Sequence, residues 1–165
     1  MQETLCEPLG LADTTITLSQ EQQARMALRY TEDGKHVPNW EFDVLAPAGA
    51  IRSTADDLLT FAEANLTVTD SALSKAMHLA RQQHFAHWLD GASGLGWMKL
   101  VSPEDIDAWW HDGGTGAYSS FVGFSEKHQV AVVVLSSYGN ALYDGDALDK
   151  VGFELLKLAT KVSLR

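Results

Sequence analysis

The chain has 165 residues, 45% of them hydrophobic and 21% charged, enough for one globular domain with its own core and unlike a disordered or fibrous chain. Twelve basic against twenty-two acidic residues leave a net charge of −10, which repels phosphate backbones and anionic headgroups, so nucleic acid is excluded as a partner. The single cysteine, Cys6, can form no internal disulfide, and no apolar run of about eighteen residues offers a membrane span.

The chain opens with Gln2-Glu3-Thr4-Leu5-Cys6-Glu7-Pro8-Leu9-Gly10-Leu11, which reads as the end of a helix broken by Pro8. It lacks the basic start and long apolar core of a signal peptide, which leaves the cytoplasm as the default location. Ser19 with Gln22 three residues on is a capping-box pattern opening a polar surface helix to about Tyr30. Thr31 to Pro47 follows as a long loop, with Asp33-Gly34, Pro38 and Pro47 as breakers and Trp40 and Phe42 as anchors. Thr54 then caps a helix to Leu66, with Asp56 and Asp57 at its positive end and Leu58, Leu59, Phe61, Ala62 and Leu66 on one apolar face. A further helix is expected from Ser71 to Leu89, carrying Leu73, Ala76, Met77, Ala80, His84 and Trp88 inward and stopping at Gly91.

From Gly94 the period becomes extended. Leu95 to Leu100 reads as a strand, Pro103-Glu104-Asp105 as a turn, and Ile106 to Trp110 and Tyr118 to Phe124 as strands. Val130 to Leu135 is the most apolar and β-branched run, joined to the preceding strand by a hairpin loop at Glu126-Lys127-His128-Gln129. An amphipathic helix from about Asp146 to Val162 closes the chain, with Leu148, Val151, Leu155, Leu158, Ala159 and Val162 as its expected buried stripe. Helices, then strands, then a helix predict an α+β fold: one domain over 1–165, with an antiparallel sheet of three to four strands and packed helices.

Chemistry concentrates in Trp110-His111-Asp112-Gly113-Gly114-Thr115-Gly116-Ala117-Tyr118. Glycines at a sharp turn beside a histidine leave room for a ligand against exposed backbone N–H groups, as in an anion or oxyanion site. A hairpin turn whose glycines only supply positive φ fits the same residues. His111 and Asp112 are successive strand residues and point to opposite faces, so they do not read as an acid–base pair. His84 and His87 have helical i, i+3 spacing but no acidic or cysteine ligand beside them. Asp144, Asp146 and Asp149 are better explained as an acidic helix start than as a calcium loop. No metal and no cofactor is expected.

Several motifs together resemble a known family. They are Pro8-Leu9-Gly10-Leu11 with Asp13-Thr14, Ala48-Gly49-Ala50 with Ser53-Thr54-Ala55-Asp56-Asp57-Leu58, Gly94-Leu95-Gly96-Trp97, and His111-Asp112-Gly113-Gly114-Thr115-Gly116. Their order is similar to that in the serine β-lactamase and penicillin-binding protein superfamily, in the branch of class C-like β-lactamases, esterases and D-aminopeptidases. The resemblance implies that the chain corresponds to the C-terminal half of such a hydrolase. His111 then stands where the family has the lysine or histidine of its third motif, and Gly114 matches the residue whose N–H forms half of the oxyanion hole. Asp112, Gly113, Thr115, Gly116, Ala117 and Tyr118 become the substrate-binding wall, with Ala117 replacing a frequent glycine.

The family's nucleophile is a serine with a lysine three residues on. The residues three before Lys35, Lys75, Lys99, Lys127, Lys150, Lys157 and Lys161 are Glu32, Ala72, Gly96, Phe124, Ala147, Glu154 and Leu158, and none is serine. Tyr138-Gly139-Asn140 matches the family's tyrosine motif literally but follows the last strand and reads as a loop. The resemblance therefore implies a hydrolase-derived domain that is catalytically incomplete alone, unless a non-family serine such as Ser119 or Ser120 is recruited. A small-molecule binding or oligomeric interaction module, or a cassette-borne gene fragment, are the alternatives. By the same resemblance the edge of the Val130–Leu135 strand lacks its usual neighbours, so a second copy, a partner carrying the N-terminal half, or a rearranged terminus is expected to cover it.

Overall fold

A computed structural model describes residues 1–31, 33–86, 92–101, 106–138 and 145–163. A π-helical turn, Gln2–Cys6, runs into a short helix α1 (Glu7–Leu9), and α2 (Gln20–Arg25) follows. A 3-10 turn (Asp43–Leu45) leads into α3 (Ala46–Gly49), then come α4 (Ala55–Leu66) and α5 (Ala72–Ala80). Six strands, β1 (Phe85–Ala86), β2 (Ala92–Ser93), β3 (Met98–Val101), β4 (Asp107–Thr115), β5 (Tyr118–Ser125) and β6 (Val130–Ser136), precede the closing helix α6 (Gly145–Ser163). The strands form one antiparallel sheet in chain order. The fold is α+β, as the pattern predicts, but the sheet has six strands rather than three to four, because two-residue strands β1 and β2 carry no readable periodicity.

Caps fix the helix starts. Ser19 accepts from the Gln22 N–H while the Gln22 side chain accepts from the Ser19 N–H, and Thr54 and Ser71 accept from the N–H groups of Asp57 and Ser74. Helix ends depart from expectation. Pro8 lies in the first turn of α1, where a missing N–H costs nothing, and the helix instead stops at Gly10 in the left-handed region (φ 70°). The second helix ends at Arg25 rather than Tyr30. The fifth ends at Ala80 rather than Leu89, so His84 is exposed outside any helix, and the i, i+3 pair with His87 does not form on one; His87, Trp88, Leu89 and Gly91 lie outside the described residues. Leu59 and Ala76 are exposed rather than inward. Pro103-Glu104-Asp105, Gly139, Asn140 and Asp144 also lie outside the described residues.

The sheet is covered on both faces, which is why β6 reads as a continuous apolar run rather than an alternating one. On one face Ala62 of α4 packs with Trp97, Trp109 and Phe124, supported by Phe61, Leu66, Val122 and Ala131. On the other, Leu156 and Phe153 of α6 pack with Ala108, Trp110, Phe121, Val130, Val132 and Val134. Buried Arg81 ties the first layer together by donating to Asn65 Oδ1 and Glu126 Oε1, both at 2.9 Å.

The buried side of α6 differs from the expected one. Gly152, Leu156 and Thr160 are buried, whereas Val151, Leu155, Leu158 and Val162 point to solvent. Shape decides this. A Cβ on Gly152 would lie 2.4 Å from the Phe121 ring, and one on Gly123 would lie 2.7 Å from Leu156 Cδ1. Phe121 thus fills the gap at Gly152, and Leu156 fills the gap at Gly123, a fit that only this rotation of the helix provides. No helix among the described residues is long and apolar enough to cross a membrane.

Replacing Gly152 by alanine sets about 1 kcal/mol of helix propensity against overpacking of about 1–3 kcal/mol. The contact is with a ring held between Trp110 and Phe153, so the steric loss wins. G152A is expected to lower unfolding stability by up to about 2 kcal/mol, read as a shifted urea midpoint at unchanged slope.

Candidate functional site

The glycine-rich stretch is mostly strand, not turn. Gly113 and Gly114 pair with Ser120 and Ser119 inside β4 and β5, and only Gly116 and Ala117 make the reversal between Thr115 and Tyr118. Gly116 has φ 59° and Ala117 does not share it, as a two-residue hairpin with glycine first requires. A Cβ on Gly116 would meet Trp40 Nε1 at 3.3 Å, so the indole lies on the hairpin tip and Trp40 is the anchor expected for its loop.

This hairpin fixes which backbone groups are free. A two-residue loop makes Thr115 and Tyr118 a hydrogen-bonded pair, and strict alternation then makes Gly113–Ser120 and His111–Val122 bonded pairs. The N–H and C=O of Gly114 and Asp112 therefore point away from β5. On that side β3 pairs only with residues up to Trp110, so among the described residues the stretch from His111 to Thr115 is an open sheet edge.

A cleft of about 860 Å³ lies against this edge, within the range of small-molecule sites. Its lining includes His111, Asp112, Gly113, Gly114, Thr115, Tyr118 and Ser120 from the sheet, and Arg25, Arg29, Trp40 and Ala48 to Thr54 opposite. Of the expected wall residues Gly116 and Ala117 are absent from the lining: Gly116 lies at the hairpin tip against the Trp40 indole, and Ala117 is buried behind the turn. His111 is exposed, and its Nδ1 lies 2.6 Å from the Asp112 carbonyl oxygen. A carbonyl only accepts, so Nδ1 carries a proton and Nε2 is the ring nitrogen left to face a ligand. His111 pairs with Val122 and Asp112 with Phe121, which belong to opposite layers, so the two side chains face opposite sides as expected. Ser120 Oγ donates to the Gly113 carbonyl at 3.4 Å, a group that cannot take up its proton.

The opposite lip is hung from the start of α4. Asp57 Oδ2 accepts from the Asp13 N–H at 2.8 Å and from Thr14 Oγ1 at 2.7 Å, and Thr14 Oγ1 lies 2.8 Å from Ser53 Oγ. Two of the recognised motifs, Asp13-Thr14 and Ser53 to Asp57, are thus one hydrogen-bonded structure. Thr15 and Arg52 exchange backbone bonds beside it. Arg52, which sequence reasoning passed over, donates to the carbonyls of Ile16, Ala50 and Trp40 and so staples three segments. The Arg25 guanidinium holds the Asp13 carboxyl below the usual carboxylate range. Cys6 is buried beneath this lip, and burial pushes its thiol up, the opposite of a reactive cysteine.

Tyr118 joins lip to sheet. Its hydroxyl donates to the Ala27 carbonyl and the buried Arg29 guanidinium sits 4.8 Å from its ring centroid, while Arg29 itself donates to the Val37 carbonyl. Nothing in the pattern around Arg29 marks this role, since its partners are distant in sequence.

The structure is thus an antiparallel sheet flanked by helices, with a cleft along an open His-Asp-Gly-Gly-Thr-Gly edge. The family model described as Beta-lactamase matches residues 1–155, and the chain belongs to that family. Over 66 residues, 40% of this chain and 13% of the relative, it is 36% identical to the human beta-lactamase-like 1 protein. Its fold is similar to a beta-lactamase/D-alanine carboxypeptidase from Pseudomonas syringae (TM-score 0.75, 21% identity, 84% of this chain and 47% of that one). It is similar also to a class C beta-lactamase mutant (TM-score 0.82, 17% identity, 96% and 50%). The chain spans about half the length of these solved structures.

Burial raises the Tyr118 pKa above its ordinary 10.0, with Arg29 and Arg52 opposing. Below pH 10 both folded and unfolded states keep the proton; above it the unfolded chain ionises first, so stability falls as pH climbs through the folded value. Y118F is expected to lose about 1 kcal/mol at neutral pH with its hydrogen bond and to show a shallower alkaline decline, measured as urea midpoints between neutral pH and the tyrosine range.

Proposed function

We propose that the cleft holds an acyl compound, an ester, amide or lactam, laid along the open edge of β4, and that the chain supplies one wall of a serine-hydrolase site. What carries the reading is the direction of the Gly114 N–H, which alternation turns toward the cleft rather than into the sheet. A donor fixed there by strand geometry stabilises charge developing on a carbonyl oxygen without having to reorganise. His111, with Nδ1–H held by the Asp112 carbonyl, offers Nε2 as a proton acceptor or hydrogen-bond partner to the same ligand. Asp112, Gly113, Thr115 and Tyr118 shape the binding edge around them, with Gly116 turning the hairpin that holds it. Membership of the beta-lactamase family supports the acyl class of ligand.

The nucleophile is the part these 165 residues do not provide. No lysine follows a serine at the family spacing, and Ser120 has a carbonyl, not a base, as its hydrogen-bond partner. Covalent turnover therefore depends on a serine contributed by a segment or partner outside this sequence, and the chain alone binds without reacting.

Intact-mass spectrometry after incubation with a penicillin, and separately with a fluorophosphonate, is expected to show no adduct. Under the same conditions the penicillin should shift the amide resonances of Gly113 and Gly114, and H111A should weaken that response several-fold. A stoichiometric adduct would overturn the incomplete reading, and peptide mapping would name the serine. Unchanged amide resonances at saturating penicillin would overturn the binding reading.

A further inference from the structure

The two sides of the cleft differ in kind. The sheet side offers hydrogen-bonding groups, the Gly114 N–H with His111, Thr115 and Ser120, whereas the lip adds the apolar side chains of Met26, Trp40, Phe42 and Ile51. A ligand whose carbonyl lies on the sheet edge therefore meets an apolar wall with the rest of its body. Polar groups placed there would lose water without gaining partners.

Within that wall, Trp40 is held against the sheet itself. A Cβ on Gly116 would meet Trp40 Nε1 at 3.3 Å and Cδ1 at 3.6 Å, so the indole stands by its pyrrole edge on the hairpin tip, in space that only a glycine leaves. Behind the ring, Arg52 Nη2 donates to the Trp40 carbonyl at 3.3 Å, while Nη1 of the same guanidinium holds the Ile16 carbonyl at 2.6 Å. Phe42 lies beside it, 6.1 Å between ring centroids and tilted by 55°. Phe42 rests in turn on α3, where a Cβ on Gly49 would come within 3.3 Å of its ring. Each of these contacts is made within the chain, and together they set a pair of aromatic rings at one end of the cleft.

We propose that Trp40, backed by Phe42, is a specificity-determining residue of the cleft, and that the acyl compound bound there carries an aromatic group packed on the indole. The inference rests on the reading of the cleft as an acyl site and adds the identity of the arm. Distance supports it. From Gly114 to Gly116 the strand rises about 6.6 Å, so a carbonyl on the Gly114 N–H and a ring on Trp40 are separated by roughly the reach of a single acylamide arm. Toward His111 the edge leads instead to Trp110, where pairing with β3 begins, so the aromatic end lies on the hairpin side alone. Ring-on-ring packing gains more than the area it buries, which separates an aromatic arm from an aliphatic one.

Two penicillins with the same nucleus, one with a phenylacetyl and one with an acetyl arm, test this by titration of the isotope-labelled chain. The Gly114 amide resonance is expected to follow both, with a Kd about tenfold lower for the phenylacetyl compound. That compound alone should shift the Trp40 indole N–H, identified as the indole resonance missing from W40F. W40F, which keeps a ring, should hold the preference to within about threefold. W40L, which keeps apolar bulk without a ring, should lose most of it while binding the acetyl compound as before, and that unchanged binding shows that its cleft is intact. Silence of the Gly114 amide toward both compounds would overturn the acyl reading of the cleft. A responsive Gly114 amide with equal affinity for the two, an unmoved Trp40 indole, or a W40L that retains the full preference would overturn the Trp40 assignment alone.

Discussion

Two glycines and two large side chains hold the molecule together. Phe121 on β5 occupies the space that a side chain at Gly152 would need, and Leu156 on α6 occupies the space above Gly123. The interlock sets the rotation of α6, the separation of helix and sheet, and the level at which Trp110, Phe153 and Val132 meet. Hydrophobic burial alone would not choose this arrangement, because α6 has more apolar surface than one face can hide. Its hydrophobicity is spread over two sides, and the glycine notch selects which of them goes inward.

The open edge of β4 follows from a mismatch in strand length. β3 covers four residues and β4 nine, so β3 runs out at Trp110 and the remaining backbone faces the cleft. The hairpin at Gly116 then sets which residues turn their N–H groups outward. Position in the sheet, more than side-chain chemistry, distinguishes Gly114 from Gly113. One glycine has its amide committed to β5 while its neighbour presents an amide to the cleft, a distinction made by the parity of the count from Thr115.

Local signals were legible in the sequence. The caps at Ser19 and Thr54, the start of α5 near Ser71, the α4 helix, the hairpin at Glu126 to Gln129, and the family motifs all rest on neighbours a few residues apart. What escaped depends on distant partners. The rotation of α6 could not be read, because Val151, Leu155, Leu158 and Val162 make as good a stripe as the true one and the deciding contact, Phe121 to Gly152, is far away in the chain. The end of α5 was misjudged because apolar residues continue past Ala80 into segments of a different kind. In the cleft, His111 and Gly114 were marked by their motif, but Arg29 and Arg52 carry no local signature, since each acts on carbonyls from another part of the chain.

Asp57 has a consequence beyond capping a helix. Its one oxygen, Oδ2, receives both the Asp13 amide and the Thr14 hydroxyl, so the chain leaving the buried Cys6 and Leu11 is held by a single carboxylate on a helix that belongs to the core. Between there and Trp40 the chain touches the sheet mainly through Tyr118, Arg29 and the Tyr30 amide, with few buried apolar side chains. Such a region detaches as a subglobal unit at a fraction of the free energy of full unfolding. Opening of that unit would widen the cleft from the side of its lip, while the sheet edge opposite belongs to the core.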